Sequence, residues 1–254
     1  MSKDYLRLNH RFETQVTWTG YFQQKLLKTL KTAPPWRILE IGCGTGALIR
    51  NLAGLTSAEI SFFGLDIDPE ALRFARARSP LSPVCAAGEF LPFPADSFDL
   101  VCCHYLLLWA PDPPVILREM RRCSKPQGLT AVLAEPDYAG RVDWPAAAPE
   151  AGREQTAALT KQGIDSLAGR KLFGWMRSAG FAKPVFGLHG IERTFEEQSM
   201  FLMEESLQCT EDVVSIPSSW TMSDEQTALP EMIVVPTFFS YAVKEDSFRY
   251  QKKY

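Results

Sequence analysis

At 254 residues the chain is about 1.7 times the length of a ~150-residue domain, so it accommodates one elaborated domain or two small ones. Lys and Arg total 27 against 30 Asp and Glu, a net charge of -3, which excludes a binder that collects phosphates on a broad basic face. With 46% hydrophobic residues a substantial core can be buried, and disorder is excluded as the main state.

No segment reaches the ~18 to 20 apolar residues of a membrane span; the longest apolar stretch, Leu100 to Ala110, is about half that and carries His104. The start, Met1 to His10, is polar and charged where a secretory signal is apolar. The cysteines Cys43, Cys85, Cys102, Cys103, Cys123 and Cys209 form no Cys-x-x-Cys pair and no His-partnered cluster. The expectation is a cytoplasmic protein with reduced, mostly buried thiols and no metal centre.

In chain order, residues 4 to 32 are helical in character, with Leu26, Leu27 and Leu30 apolar among Lys and Gln, and Pro34-Pro35 ends that helix. Trp36 to Ile41 reads as a strand, with a helix from Thr45 to Leu52 behind a glycine turn. Ile60 to Leu65 is the next strand and Pro69 to Arg78 the next helix, followed by a strand at Phe98 to Cys103. Asp112 to Cys123 is amphipathic, with Val115, Ile116 and Met120 on one face; Pro126-Gln127-Gly128 closes it, and Leu129 to Ala134 is another strand. Strands alternating with helices over residues 36 to 135 predict right-handed βαβ units and a parallel sheet covered on both faces.

Beyond that, 146 to 180 is mainly helical up to Gly180. Pro184 to Leu188 and Ile233 to Val243 are two late strands joined by a helical stretch from Glu196 to Gln208. With no repeat and no long linker, one domain is expected over 1-254: an N-terminal helical cap (1-32), a core (36-135) and a helical and late-strand part (138-254).

The informative run is Ile38-Leu-Glu-Ile-Gly42-Cys-Gly44-Thr-Gly46-Ala-Leu-Ile49, a strand, a tight glycine turn and a helix start. Glycines allow the sharp turn and a close ligand approach, and the free N–H groups of the helix start favour an anion. Dinucleotide enzymes share such turns, so the turn alone is a weak signal. Here the spacing is Gly-x-Gly-x-Gly after the acidic Glu40, and the next strand ends Gly64-Leu-Asp66-Ile-Asp68-Pro69. Asp66 falls at the strand's C-terminal edge, where a carboxylate accepts both hydroxyls of a ribose; Asp68, before Pro69, suits a helix N-cap. Gly88-Glu-Phe-Leu-Pro-Phe-Pro-Ala-Asp-Ser-Phe-Asp99 and Leu117-Arg-Glu-Met-Arg-Arg-Cys-Ser-Lys-Pro-Gln-Gly128 follow, each leading into a strand.

With these four motifs in order, the sequence resembles the class I S-adenosylmethionine-dependent methyltransferases, in the small-molecule branch similar to quinone-biosynthesis methyltransferases. The resemblance covers residues 36 to 135 and the rest in outline. It implies an α/β, Rossmann-like, doubly wound and mostly parallel seven-stranded sheet with an antiparallel last strand, plus helical caps. It also implies that Gly42, Cys43 and Gly44 pass under the methionine part of S-adenosyl-L-methionine while Glu40 fixes its amino group. Asp66 would hold the ribose hydroxyls, Ile67 would pack on the adenine, and backbone N–H at Gly88 or Glu89 would read the adenine edge. Cys103 and His104 would lie near the methionine and the reactive methyl. The chain departs from the family pattern at Ala87, where Asp usually reads the adenine amino group, and at Gln127, where a second glycine is usual.

Of the catalytic candidates, His104 reads either as a satisfied core histidine or as a general base with an ordinary pKa of ~6.5. Tyr138, with Asp137, follows the strand ending at Glu135, at the ligand-binding edge. Trp18, Tyr21, Phe22, Trp144 and Trp175 read first as core packing. Cys102 and Cys103, being strand neighbours, point to opposite faces. The expected function is methyl transfer to an oxygen, carbon or nitrogen of a small organic acceptor, with no nucleic-acid or membrane partner. The alternatives are a non-methylating S-adenosylmethionine-binding relative (a cyclase or a binding module) and, behind it, a nicotinamide-dependent oxidoreductase. Cys103-His-Tyr-Leu stands where an Asn-Pro-Pro-Tyr would mark the branch acting on adenine amino groups or glutamine amides.

Overall fold

The computed structural model describes residues 4–144, 149–190 and 232–245. The helical stretch expected at Glu196 to Gln208, Cys209 and the side chain of Trp144 lie outside what it describes. Strands β1 (Trp36–Ile41), β2 (Ile60–Asp66), β3 (Leu81–Cys85), β4 (Phe98–Cys103) and β5 (Ser124–Pro136) run parallel in the order β3-β2-β1-β4-β5. β9 (Thr237–Val243) lies antiparallel to β5 and is itself paired antiparallel with β7 (Val185–Leu188), which completes seven strands. The mixed sheet with its antiparallel last strand is the Rossmann-like arrangement expected from the motifs. Two short strands, β6 (Val142–Trp144) and β8 (Met232–Val234), form a separate antiparallel pair.

The central strands are near-continuous apolar runs because both faces of the sheet are covered. Leu39, Ile41, Val101 and Cys103 enter one core cluster; Ile38, Leu100 and Cys102 enter the other. Cys102 and Cys103 thus part to opposite faces. Helices α3 (Ala47–Gly54), α4 (Pro69–Arg76) and α5 (Pro113–Cys123) are the crossovers. Their starts follow from local chemistry: the Asp68 carboxylate accepts from the N–H of Glu70 and Ala71 with Pro69 in the first turn, and Asp112 does the same for Val115 ahead of α5.

Several boundaries differ from the sequence reading. The N-terminal helical segment divides into α1 (Tyr5–Thr17) and α2 (Gly20–Thr29), with Thr19 buried at the joint. β3, a five-residue edge strand interrupted by Pro83, carries too weak an alternation to stand out, and edge strands are where proline is tolerated. Strand β5 begins at Ser124, before the expected turn, and absorbs Gln127 (φ 63°) and Gly128 as an irregularity, seen as a register shift against β4. The late strand divides at Pro236 into β8 and β9, since proline supplies no N–H to a ladder. The expected helical segment before Gly180 holds α6 (Pro149–Lys161) and α7 (Ala168–Ser178). Among the described residues no helix is long and apolar enough to cross a membrane.

The site-positioning consequence lies at the middle of the sheet. Strand β1 is flanked by β2 on one side and β4 on the other, so the crossovers leave it in opposite directions. In open α/β sheets the crevice beyond the C-terminal ends of such strands is where ligands bind.

Candidate functional site

A cavity of about 540 Å³ opens at that crevice. Its floor is the turn after β1. Gly42 (φ 68°) and Gly44 (φ 49°) occupy the left-handed region, and Cβ atoms there would meet Leu106 Cδ1 at 2.7 Å and Phe12 Cε2 at 3.1 Å. The N–H groups of Gly42 and Cys43 both donate to the Leu65 carbonyl, at 2.7 and 3.0 Å. The N–H of Gly44 donates to Asp66 Oδ2 at 2.8 Å, and the N–H of Asp68 to Asp66 Oδ1 at 2.9 Å. Asp66 is therefore braced by the very backbone it faces, with lone pairs left on both oxygens.

Glu40, at the end of β1, is 3% exposed, and its Oε2 has no hydrogen-bond partner among the described residues although it is buried. Burial first, then the nearby Asp66 charge, pushes its pKa well up, against the opposing pull of Arg50 and of the Ile49 backbone. A buried carboxylate with one oxygen unsatisfied beside a ligand-sized cavity is a socket for a cationic group, because an ammonium would supply both the charge and the missing hydrogen bond. Ile67 stands 72% exposed on the cavity wall, and Gly88 and Glu89 complete that side; Ala87 does not line it. A Cβ at Gly88 would press on Ile41 and Ile116 at 3.2 and 3.3 Å.

The opposite wall is the segment after β4: His104, Tyr105, Leu106, Leu108, Trp109 and Ala110, joined by Tyr138. Tyr105, directly after His104, sits at φ 52° in the left-handed region. His104 Nε2 lies 3.4 Å from Thr19 Oγ1, and Gln23 Nε2 donates to the same hydroxyl at 2.9 Å. Burial, and secondarily His189, drives the His104 pKa down to about 3, so its ring is neutral at physiological pH.

The third wall comes from the segment 1-32 expected as a helical cap, and the residues of it that face the cavity are the new finding. Helix α1 spans the opening with Tyr5, Leu8, Arg11, Phe12, Gln15 and Val16, and it is anchored at several points. Tyr5 Oη donates to Asp68 Oδ2 at 2.9 Å, and Arg50 on α3 reaches Asn9 Oδ1 at 2.5 Å and Glu13 Oε1 at 2.9 Å. The spacing 5, 8, 12, 15 is a helical stripe visible in the sequence, but nothing there says what the stripe covers.

Of the residues singled out from the sequence, Glu40, Gly42, Cys43, Gly44, Asp66, Ile67, Gly88, Glu89, His104 and Tyr138 line this one cavity. Cys103 does not: its side chain is wholly buried among Leu39, Ile41 and Leu107, and burial pushes its thiol pKa well up. The Cys43 thiol, also raised by burial, is likewise inert as an acid. Phe22 packs in the core against Phe239, at 4.2 Å between ring centroids, Trp175 packs against the core, and Tyr21 is 85% exposed.

Residues 39–132 match the family described as "Methyltransferase domain". Over 99 residues the chain is 39% identical to the malonyl-[acyl-carrier protein] O-methyltransferase of Halorhodospira halophila, which covers 37% of this chain and 33% of that one. It is 28% identical over 141 residues to the demethylmenaquinone methyltransferase of Geobacillus kaustophilus, covering 52% of this chain and 58% of that one. The chain thus spans one third to somewhat over half the length of these curated relatives. Among solved structures, the [4+2]-cyclase SpnF is similar with a TM-score of 0.59 at 19% identity, covering 89% of this chain and 80% of that one. Identity that low establishes the fold alone.

Proposed function

We propose that this chain, which belongs to the class I S-adenosylmethionine-dependent methyltransferases by its residues 39–132, transfers a methyl group to a small, largely apolar organic acceptor. The observation that carries the reading is the convergence on one cavity of the buried, half-satisfied Glu40, the Gly42–Gly44 turn and the braced Asp66. These match the three polar parts of the family's methyl donor. Glu40 would take its ammonium, the turn its methionine chain, and Asp66 its ribose hydroxyls; Ile67 offers an exposed apolar face for the adenine, with the N–H groups of Gly88 and Glu89 at its edge.

When bound, S-adenosylmethionine supplies a methyl carbon on a sulfonium; as the acceptor's lone pair bonds to that carbon, the carbon–sulfur bond breaks and its electron pair stays on sulfur. The protein's part is alignment and exclusion of water, and well-oriented reactants gain roughly 7 to 11 kcal/mol in this way. Leu106, Leu108, Trp109 and Val16 give the acceptor side its apolar lining, and helix α1 covers it. His104, held neutral by burial, keeps one ring N–H that can donate to an ionised acceptor oxygen and so orient it. With a pKa near 3 it is a weak proton sink, so an acceptor that arrives ionised suits this site best.

Titration calorimetry with S-adenosylmethionine and with NAD, on the wild type and on Asp66→Ala, tests the reading. Binding of the first alone, lost in the variant, is expected; NAD binding in its place would replace the assignment with an oxidoreductase. Formation of S-adenosylhomocysteine with a panel of phenols, enols and amines then separates a transferase from a binding module or cyclase that merely retains the donor.

A further inference from the structure

The strongest polar group that this reading leaves unused is Glu135. It stands near the end of β5, 0% exposed, without a cationic partner among its described contacts. Its Oε1 accepts the N–H of Leu106 at 3.0 Å and of Leu107 at 2.7 Å, and its Oε2 accepts the N–H of Leu108 at 3.1 Å. Three consecutive backbone donors from a segment 27 to 29 residues away converge on one buried carboxylate.

That segment is the acceptor wall. It leaves β4 through His104, turns at the left-handed Tyr105, and enters a single 3-10 turn, Leu107–Trp109. A non-glycine residue in that conformation is unfavourable alone and persists where its surroundings over-determine it. The surroundings are specific here: Tyr105 N–H donates to the Ala134 carbonyl at 3.0 Å, next to Glu135, and Asp165 N–H donates to the Leu108 carbonyl at 2.9 Å. Three of the five hydrogen bonds named here end on the Glu135 carboxyl, so it is the principal restraint among them. A buried carboxylate is also an expensive way to fill a core position, which a leucine would fill without desolvation. Burial does raise its pKa, to about 8, and the three N–H bonds oppose the rise.

We propose that Glu135 is the positioning residue of the acceptor wall, fixing residues 104–110 in the conformation that presents His104, Leu106 and Trp109 to the cavity. The assignment of that wall to the acceptor rests on the function proposed above; the clamp itself does not. The cofactor turn is held separately, by the Leu65 carbonyl and Asp66, so the clamp acts on one side of the cavity.

Amide hydrogen exchange on the wild type and on Glu135→Gln, beside S-adenosylhomocysteine binding and acceptor kinetics, tests the proposal. In the wild type the Leu106, Leu107 and Leu108 amides exchange as slowly as those of Ala131 to Ala134 in β5; exchange at the rate of an open loop overturns the clamp even if the variant does not fold. In the variant, whose amide group offers one acceptor oxygen in place of two, the same three amides exchange at least about tenfold faster while Ile38 to Ile41 are unchanged. Acceleration over the whole sheet, or none anywhere, also overturns it. For an acceptor found with the panel above, the KM for acceptor rises about tenfold while that for S-adenosylmethionine stays within about threefold. Equal changes in both would make Glu135 a structural core residue only. Failure of the wild type to bind S-adenosylhomocysteine would strike the proposed function and leave the exchange result standing.

Discussion

The two sides of the cavity, proposed above for the cofactor and for the acceptor, are built by different means. On the cofactor side the contacts are made by backbone geometry: two left-handed glycines, N–H groups, and two carboxylates at adjoining strand ends, all within residues 40–89. On the acceptor side they are made by side chains from segments far apart in sequence, Phe12 and Gln15 from α1, His104 to Trp109 after β4, and Tyr138 after β5. A backbone site tolerates few changes because a turn has few residue solutions. A side-chain site held on a separate clamp can be refilled without disturbing the fold. One cofactor side shared by many chemistries, with an acceptor side particular to each, follows from that division.

The largest expected effect lies wholly on the cofactor side. Asp66→Ala removes the two proposed ribose contacts and the brace on Gly44 and Asp68 together. A loss of about 3 kcal/mol, roughly a hundredfold in Kd for S-adenosylmethionine by calorimetry, is expected with little change in fold. A loss under about threefold would mean that Asp66 serves the turn alone. Gly42→Ala breaks the separation between the sides, because its new Cβ would strike Leu106 from the opposite wall at 2.7 Å while φ stays at 68°. About 2 kcal/mol of stability should be lost in urea unfolding, and acceptor KM should rise together with cofactor Kd. If only cofactor Kd moves, Leu106 yields freely and the walls are independent even there.

Glu40 gives a smaller but sharper test. Its pKa is raised in the free protein by burial and by Asp66, and an ammonium beside it would lower it again. Binding of the donor should therefore release protons at any pH where the free Glu40 is still protonated, read across a pH series as a dependence of calorimetric enthalpy on the buffer's own ionisation heat. Glu40→Gln should abolish that dependence and weaken binding about tenfold. An enthalpy independent of buffer would show that the ammonium is held elsewhere.

The same division explains what was legible in the sequence. The turn, Glu40 and Asp66 were readable because a glycine spacing with an acid at the next strand's end has few physical uses, and the alternation from 36 to 135 fixed where they sit. His104 and Tyr138 were readable only as positions just beyond strand ends. Cys103 shows the limit of that inference: it is the last residue of β4, whose two faces are both covered, so it is buried in the core, and the cavity begins only with His104 beyond the strand end. Helix α1 was visible as a helix, yet its place over the cavity depends on Tyr5 meeting Asp68 and on Arg50 meeting Asn9 and Glu13, contacts 37 to 63 residues apart that no local pattern encodes. Glu135 was seen as the end of a strand, and its use as an acceptor for three distant N–H groups leaves no local trace.

The smallest effect concerns His104, a titrating group on the acceptor side that meets both Thr19 of the cap and the end of β4. Its folded pKa is about 3 against ~6.5 unfolded, so between those values the unfolded chain binds more protons. Its contribution to stability is complete above pH 6.5 and declines as pH falls toward 3. From pH 6.5 to 5.5 the decline is about 1 kcal/mol. His104→Asn should remove that increment, so urea unfolding of variant and wild type at the two pH values isolates it from carboxylates that titrate in both. The ring should also leave no acid limb in kcat/KM between pH 5 and 8. Thr19→Val, which removes the hydroxyl 3.4 Å from Nε2, should change that profile only if the hydroxyl helps to keep the imidazole neutral. Because burial is the main cause of the shift, the profile should stay where it is; an acid limb emerging near pH 6 in the variant would mean that the cap, through Thr19, governs the acceptor side more than the depth of the cavity does.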